Sequence, residues 1–151
     1  MSDILYENQE YAFSISYPSN WEVGKGIMSS IVIFHSPVKE KRAIRGNLNV
    51  VIVDLSDEPT TLEQSYDPII AQLENVITMF KLINKSPSVI SGNDSYEIIF
   101  TGIQGKHELK WMQNWTISDN MIYTITYTNS QLHFDEFLDE AKKMINTFKI
   151  H

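Results

Sequence analysis

The stretch "SYEIIFTGIQGKHELKWMQNWTISDNMIYTITYT", residues 95–128, holds three apolar-rich runs separated by "QGK" and "SDN". In the second run Leu109, Trp111, Trp115 and Ile117 share one parity. In the third, Tyr123, Ile125 and Tyr127 oppose Thr124, Thr126 and Thr128. Alternation with period two is the mark of strands, and connections this short close only antiparallel hairpins. The stretch therefore predicts strands over residues 95–103, 108–118 and 121–128, with a further one over 80–86 set off by "GND".

Outward from this core, residues 30–35 and 48–55 read as two more strands joined through a basic loop bounded by Pro37 and Gly46. Between the two sets of strands, Leu62, Tyr66, Ile69, Ile70, Leu73 and Ile77 recur at helical spacing and give one apolar face. Asp67-Pro68 reads as an N-cap followed by proline at the first helical position, so the main helix is expected to start there, after a turn over residues 60–65. At the start of the chain, Tyr11, Phe13, Ile15 and Tyr17 alternate with Ala12, Ser14 and Ser16. That strand is expected to stop at Pro18, letting Trp21 fold back to close the core rather than stack on a ligand. At the other end Phe134, Phe137, Leu138, Ala141, Ile145 and Phe148 form the stripe of an amphipathic terminal helix that needs the sheet to cover it. Strands, a helix, more strands and a last helix predict one α+β domain over residues 1–151 with a largely antiparallel sheet.

Composition narrows the function classes. With 151 residues, 42% hydrophobic and 21% charged, the chain has the size and make-up of one ordinary core. Its longest fully apolar runs are strand-sized, so no transmembrane helix is expected. The first ten residues lack the basic start and apolar stretch of a signal peptide, which predicts a cytoplasmic protein unless an export signal lies outside this sequence. There is no cysteine, which removes disulfides, thiol nucleophiles and thiolate metal sites. The net charge of -7 argues against non-specific nucleic-acid binding.

Both ends of the chain resemble the PsbP-like family, of the Mog1/PsbP-like fold. "YENQEYAFSISYPSNWEV" is similar to that family's entry pattern of an aromatic strand, a Tyr-Pro turn and a Trp. "IYTITYTNSQLHFDEFLDEAKKMINTFKI" is similar to its final strand and helix, with an apolar Phe-containing tail. The resemblance implies an α-β-α sandwich in which a central, largely antiparallel sheet is flanked by helices on both sides. It also implies a binding or assembly module without catalysis. Plant and cyanobacterial members are extrinsic subunits or assembly factors of lumenal photosystem complexes, often exported or lipid-anchored, and Mog1 relatives bind a nuclear GTPase. A protein partner, including one held at a membrane, is thus the expected ligand, with no cofactor and no nucleic acid.

The residues themselves offer no catalytic motif. His35, His107, His133 and His151 do not stand at metal-ligand spacing, and no GxSxG elbow or complete phosphate loop is present. The carboxylates of "HFDEFLDE" read as a solvated helix face rather than a cation site. The sharpest candidate is "KEKRAIR", where Lys39, Lys41, Arg42 and Arg45 stand against Glu40, a local +3 that leaves -10 for the remaining chain. Such a patch can dock an acidic protein surface or anionic lipid headgroups. An alternative candidate is the pair Trp111 and Trp115, which would be core if they lay under the terminal helix and would line a small apolar ligand pocket between sheet and helix if that helix left a groove there.

Overall fold

The computed structural model describes residues 2–38, 41 and 44–151. Its strands are β1 (Asp3–Asn8), β2 (Phe13–Pro18), β3 (Glu22–Lys25), β4 (Ser30–His35), β5 (Asn47–Asp54), β6 (Thr78–Ile90), β7 (Asn93–Gln104), β8 (His107–Ser118), β9 (Met121–Ser130) and β10 (Lys149–Ile150). The helices are α1 (Leu62–Val76) and α2 (Leu138–Asn146), with a short 3-10 turn at Phe134–Glu136.

Seven strands form one sheet in the order β3-β4-β5-β9-β8-β7-β6, and β1-β2-β10 form a second, all pairs being antiparallel. The β6-to-β9 meander is closed by two-residue turns of the kind the sequence suggested. Ser91 and Gly92 lie at φ 52° and 77°, and Asp119 and Asn120 at 50° and 60°, the left-handed pairs whose twist matches antiparallel strands. α1 carries the chain from β5 to the far edge of the sheet, so that the meander returns and β9 pairs with β5.

The sheet separates two cores. Leu62, Tyr66, Ile69, Ile70 and Leu73 of α1 pack with Ile98, Phe100, Leu109, Trp111 and Trp115. Phe134, Phe137, Ala141, Met144 and Ile145 join Met112, Tyr123, Ile125 and Tyr127, along with Phe13 and Ile15 of β2. On β8 the odd positions Trp111 and Trp115 belong to one core and Met112 to the other, so both faces of this strand are buried.

Several expectations are corrected. α1 does not begin at Asp67-Pro68. Thr61 is its N-cap, with Thr61 Oγ1 accepting from the Gln64 amide and Gln64 Oε1 accepting from the Thr61 amide, both at 3.1 Å. This capping box, together with Tyr66 packed on Tyr96 and Trp115, holds the first turns despite the amide donor that Pro68 lacks inside the helix. β2 begins at Phe13, because the Asn8 side chain accepts the Tyr11 amide at 2.9 Å and Ala12 turns at φ 54°. The terminal stripe is buried as expected, but α2 supplies only its middle. Thr147 ends the helix by donating its hydroxyl to the Met144 carbonyl and accepting the Ser16 amide, after which the chain joins β2 as β10.

Candidate partner-docking site

Pro18 and Trp21 behave as the sequence suggested. Pro18 is the last residue of β2, and Trp21 is buried edge-on to Phe137, its Nε1 donating to Glu140 Oε2 at 2.7 Å. Trp111 and Trp115 are likewise enclosed, 7% and 0% exposed. They lie under α1 rather than the terminal helix. Trp111 stacks on Phe100 with centroids 5.0 Å apart, and Trp115 stacks on Tyr66 while its Nε1 donates to Ser65 Oγ at 2.9 Å.

The basic loop leaves the sheet at the end where β7 turns into β8 and where β9 runs out toward the 3-10 turn. Its base is built tightly. The Ser36 amide donates to the Gly46 carbonyl at 2.9 Å, and a Cβ on Gly46 would crowd Asn129 Nδ2 and Ser36 Oγ. Arg45 does not point freely outward. Its Nε donates to the Ser36 carbonyl at 2.6 Å and its Nη2 to Glu22 Oε1 at 2.7 Å, which holds the Glu22 carboxyl below the usual carboxylate range. Next to it His35 is shifted toward its neutral form, first by burial and then by the Arg45 charge. Lys41 is exposed, whereas Lys39 and Arg42 lie outside the described residues.

Beside the loop opens a cleft of about 660 Å³. Its apolar surface comes from Ile44 at the end of the loop, Ile103 of β7 and Leu132. Leu132 is 86% exposed, a large apolar side chain held in water. The polar lining comprises Lys106, His107, His133, Ser130 and Gln131, with one carboxylate, Glu108. Gly105, at φ 61°, makes the tight turn that presents Lys106 and His107. Asn129 fixes the other wall: Nδ2 donates to the His133 carbonyl at 3.0 Å and to the Tyr127 hydroxyl at 3.2 Å, and that hydroxyl donates to the Phe134 carbonyl at 2.7 Å. Burial pushes the Tyr127 phenol up to about 12. Ile44 also lines a smaller hollow of about 90 Å³ with Pro37, Val38 and Arg45, and so borders both it and the cleft.

Sequence reasoning found the loop but not the cleft. Lys106, His107, Leu132 and His133 sit 60 to 90 positions further along the chain, and only the β5-β9-β8-β7 pairing brings them to the loop. A local signal existed for one of them: Leu132 stands alone in the polar run "NSQLH", where no periodicity gives it a core to enter. The helix carboxylates are placed apart in function, Glu140 accepting from Trp21 and Glu136 lying 3.5 Å from His133 Nδ1. Among the described residues no group of three or more His, Asp or Glu is placed to hold a metal ion.

An antiparallel sheet with helices α1 and α2 packed on it defines the chain as an α+β protein. A model of the PsbP family matches residues 4–150, and the chain belongs to that family. Among curated proteins none matches. The structure is similar to the cyanobacterial PsbP protein CyanoP of Synechocystis sp. PCC 6803, with 14% identity, 99% of this chain and 93% of that one covered, and a TM-score of 0.70. It is similar to the Ran-binding protein Mog1p of Saccharomyces cerevisiae, at 8% identity, 99% and 96% coverage and a TM-score of 0.66. It is also similar to LpqN, involved in cell envelope biogenesis of Mycobacterium tuberculosis, at 8% identity, 98% and 90% coverage and 0.68. These likenesses establish the Mog1/PsbP-like fold. Among the described residues no helix is long and apolar enough to cross a membrane.

Proposed function

We propose that this chain is a protein-docking module, with a binding rather than a catalytic role, that receives an acidic segment of a partner at the cleft beside the basic loop. The carrying observation is Leu132, 86% exposed beside Ile44 and Ile103 and rimmed by Lys106, His107 and His133. An apolar centre with a polar rim is how protein interfaces are built. The rim charge complements an acidic partner, since Lys106 lines the cleft next to a loop whose sequence is a basic run, on a chain of net charge -7. Arg45 acts by positioning the loop. Mog1p, of the same fold, is a Ran-binding protein, which supports a binding use of this architecture.

The test is quantitative capture from lysate of the source organism on immobilised protein, at low and moderate salt. Two variants run beside it, Leu132→Asp and the double reversal Lys41→Glu with Lys106→Glu. The expected result is a partner lost in both variants and weakened by salt. Equal capture by all three proteins would remove the cleft from the argument.

A further inference from the structure

The sheet face beneath α2 changes character at β8. In register, Ser86 of β6, Glu97 of β7 and Asn114 of β8 stand opposite one another, as do Ser88, Ser95 and Thr116. The same two rows continue on β9 as Ile125 and Tyr123, both in the apolar core. A dry face thus gives way to six polar side chains. Three of them are fully enclosed: Asn114 is 1% exposed, Ser95 2% and Thr116 0%. Thr116 donates to the Asp94 carbonyl at 2.7 Å. Asn114 Nδ2 and Ser95 Oγ have no hydrogen-bond partner among the described residues. Two orphaned polar atoms on adjacent strands are an expensive arrangement for folding alone.

Asn114 borders open space. A hollow of about 200 Å³ is walled by Asn114, Glu97 and Ser88 from the sheet and by Lys142, Ile145 and Asn146 from α2. Lys142 and Asn146 are one turn apart, so they share a helix face. Glu97 accepts from Ser86 Oγ at 3.3 Å, and among the described residues neither Glu97 nor Lys142 forms an ion pair.

We propose that this hollow binds a small zwitterion of the α-amino acid class. A carboxylate on one wall receives the ligand's ammonium. On the opposite wall, from α2, the Lys142 ammonium and the Asn146 amide receive its carboxylate. A simple anion would face Glu97 and a simple cation would face Lys142, so only a ligand carrying both charges is matched throughout. The hollow, about 200 Å³, has room for a ligand the size of glycine, alanine or serine. None of these residues lines the docking cleft, so the proposal stands apart from the one above.

The experiment is a titration of the isotope-labelled chain with millimolar glycine, L-alanine and L-serine, followed by amide chemical shifts. Acetate and methylammonium serve as half-ligands. The expected result is saturable shifts at the amides of Glu97, Asn114 and Asn146, with each half-ligand about tenfold weaker or more. Glu97→Gln and Lys142→Gln, neither in the core, should each weaken binding by about tenfold while leaving the remaining spectrum unchanged. Absence of saturable shifts with all three amino acids would mean that the hollow holds only water. Shifts that persist in both variants would place binding elsewhere. Either result overturns the assignment.

Discussion

Arg45 and Lys41 lie four residues apart in one basic loop, yet the structure gives them different work, and one pair of variants separates the two. Arg45→Gln removes the donor to the Ser36 carbonyl and the pairing with Glu22. The Glu22 contact reaches solvent and adds little. The bond to the Ser36 carbonyl is charge-assisted, of a kind worth about 1.5–3 kcal/mol, and with the Arg45 side chain 30% exposed the lower end applies. A loss of about 1.5 kcal/mol corresponds to about 3–6 °C in Tm for a chain of this length. Lys41→Glu changes an exposed side chain and should move stability by about 0.5 kcal/mol or less. Urea denaturation with fitted slopes, run beside partner capture, reads both. Arg45→Gln should lower the midpoint without changing the slope and keep salt-sensitive capture at temperatures where it is folded. Lys41→Glu should keep the midpoint and weaken capture. If Arg45→Gln left the midpoint unmoved but abolished capture, the guanidinium would be a contact for the partner, and the clamp would not be what holds the loop.

Two further outcomes test the cores. Ser65→Ala removes the acceptor of the fully buried Trp115 Nε1 and should cost about 1–3 kcal/mol by denaturation, and an unchanged midpoint would show that the indole donor is satisfied otherwise. Tyr127, whose phenol is raised from 10 to about 12, keeps its proton in the fold after the unfolded chain has lost it. Stability should therefore be whole below about pH 10 and fall between 10 and 12, by about 3 kcal/mol at most from this group, a slope that Tyr127→Phe should remove.

The parts of the fold that the sequence announced are those set by neighbours in the chain. Hairpins from β6 to β9 follow from alternation and from Gly92, Gly105 and the Asp119-Asn120 pair, each acting within a few residues. The start of α1 misled for the same reason. Asp67-Pro68 is a strong local signal, but Thr61 and Gln64 make the cap, and the packing of Tyr66 against Tyr96 and Trp115 stabilises the turns before Pro68. β10 was not readable at all, since two residues carry no period. Its existence depends on Thr147 ending α2 within reach of β2. The charge of the loop was visible because it is a run, whereas the cleft beside it is assembled from three separate connections.

Alternation on β8 shows why the tryptophans drew attention and Asn114 did not. Period two sorts side chains onto two faces, but it does not say which face is wet. The parity of Trp111 and Trp115 marked an oily face and left the other face of the strand unassigned. In the fold both faces are covered, one by α1 and the other in the core that α2 completes. Large apolar side chains on the first face complete their contacts internally: the Trp115 ring is stacked and its one donor is bonded to Ser65. On the second face Asn114 is enclosed with a donor that its neighbours do not satisfy. A residue chosen only for packing there could be Leu or Val at no such cost. The polar row through Ser86, Glu97 and Asn114 borders the hollow under Lys142, and Glu97 and Lys142, on its two walls and without an ion pair among the described residues, are the charges that the proposed zwitterion would meet.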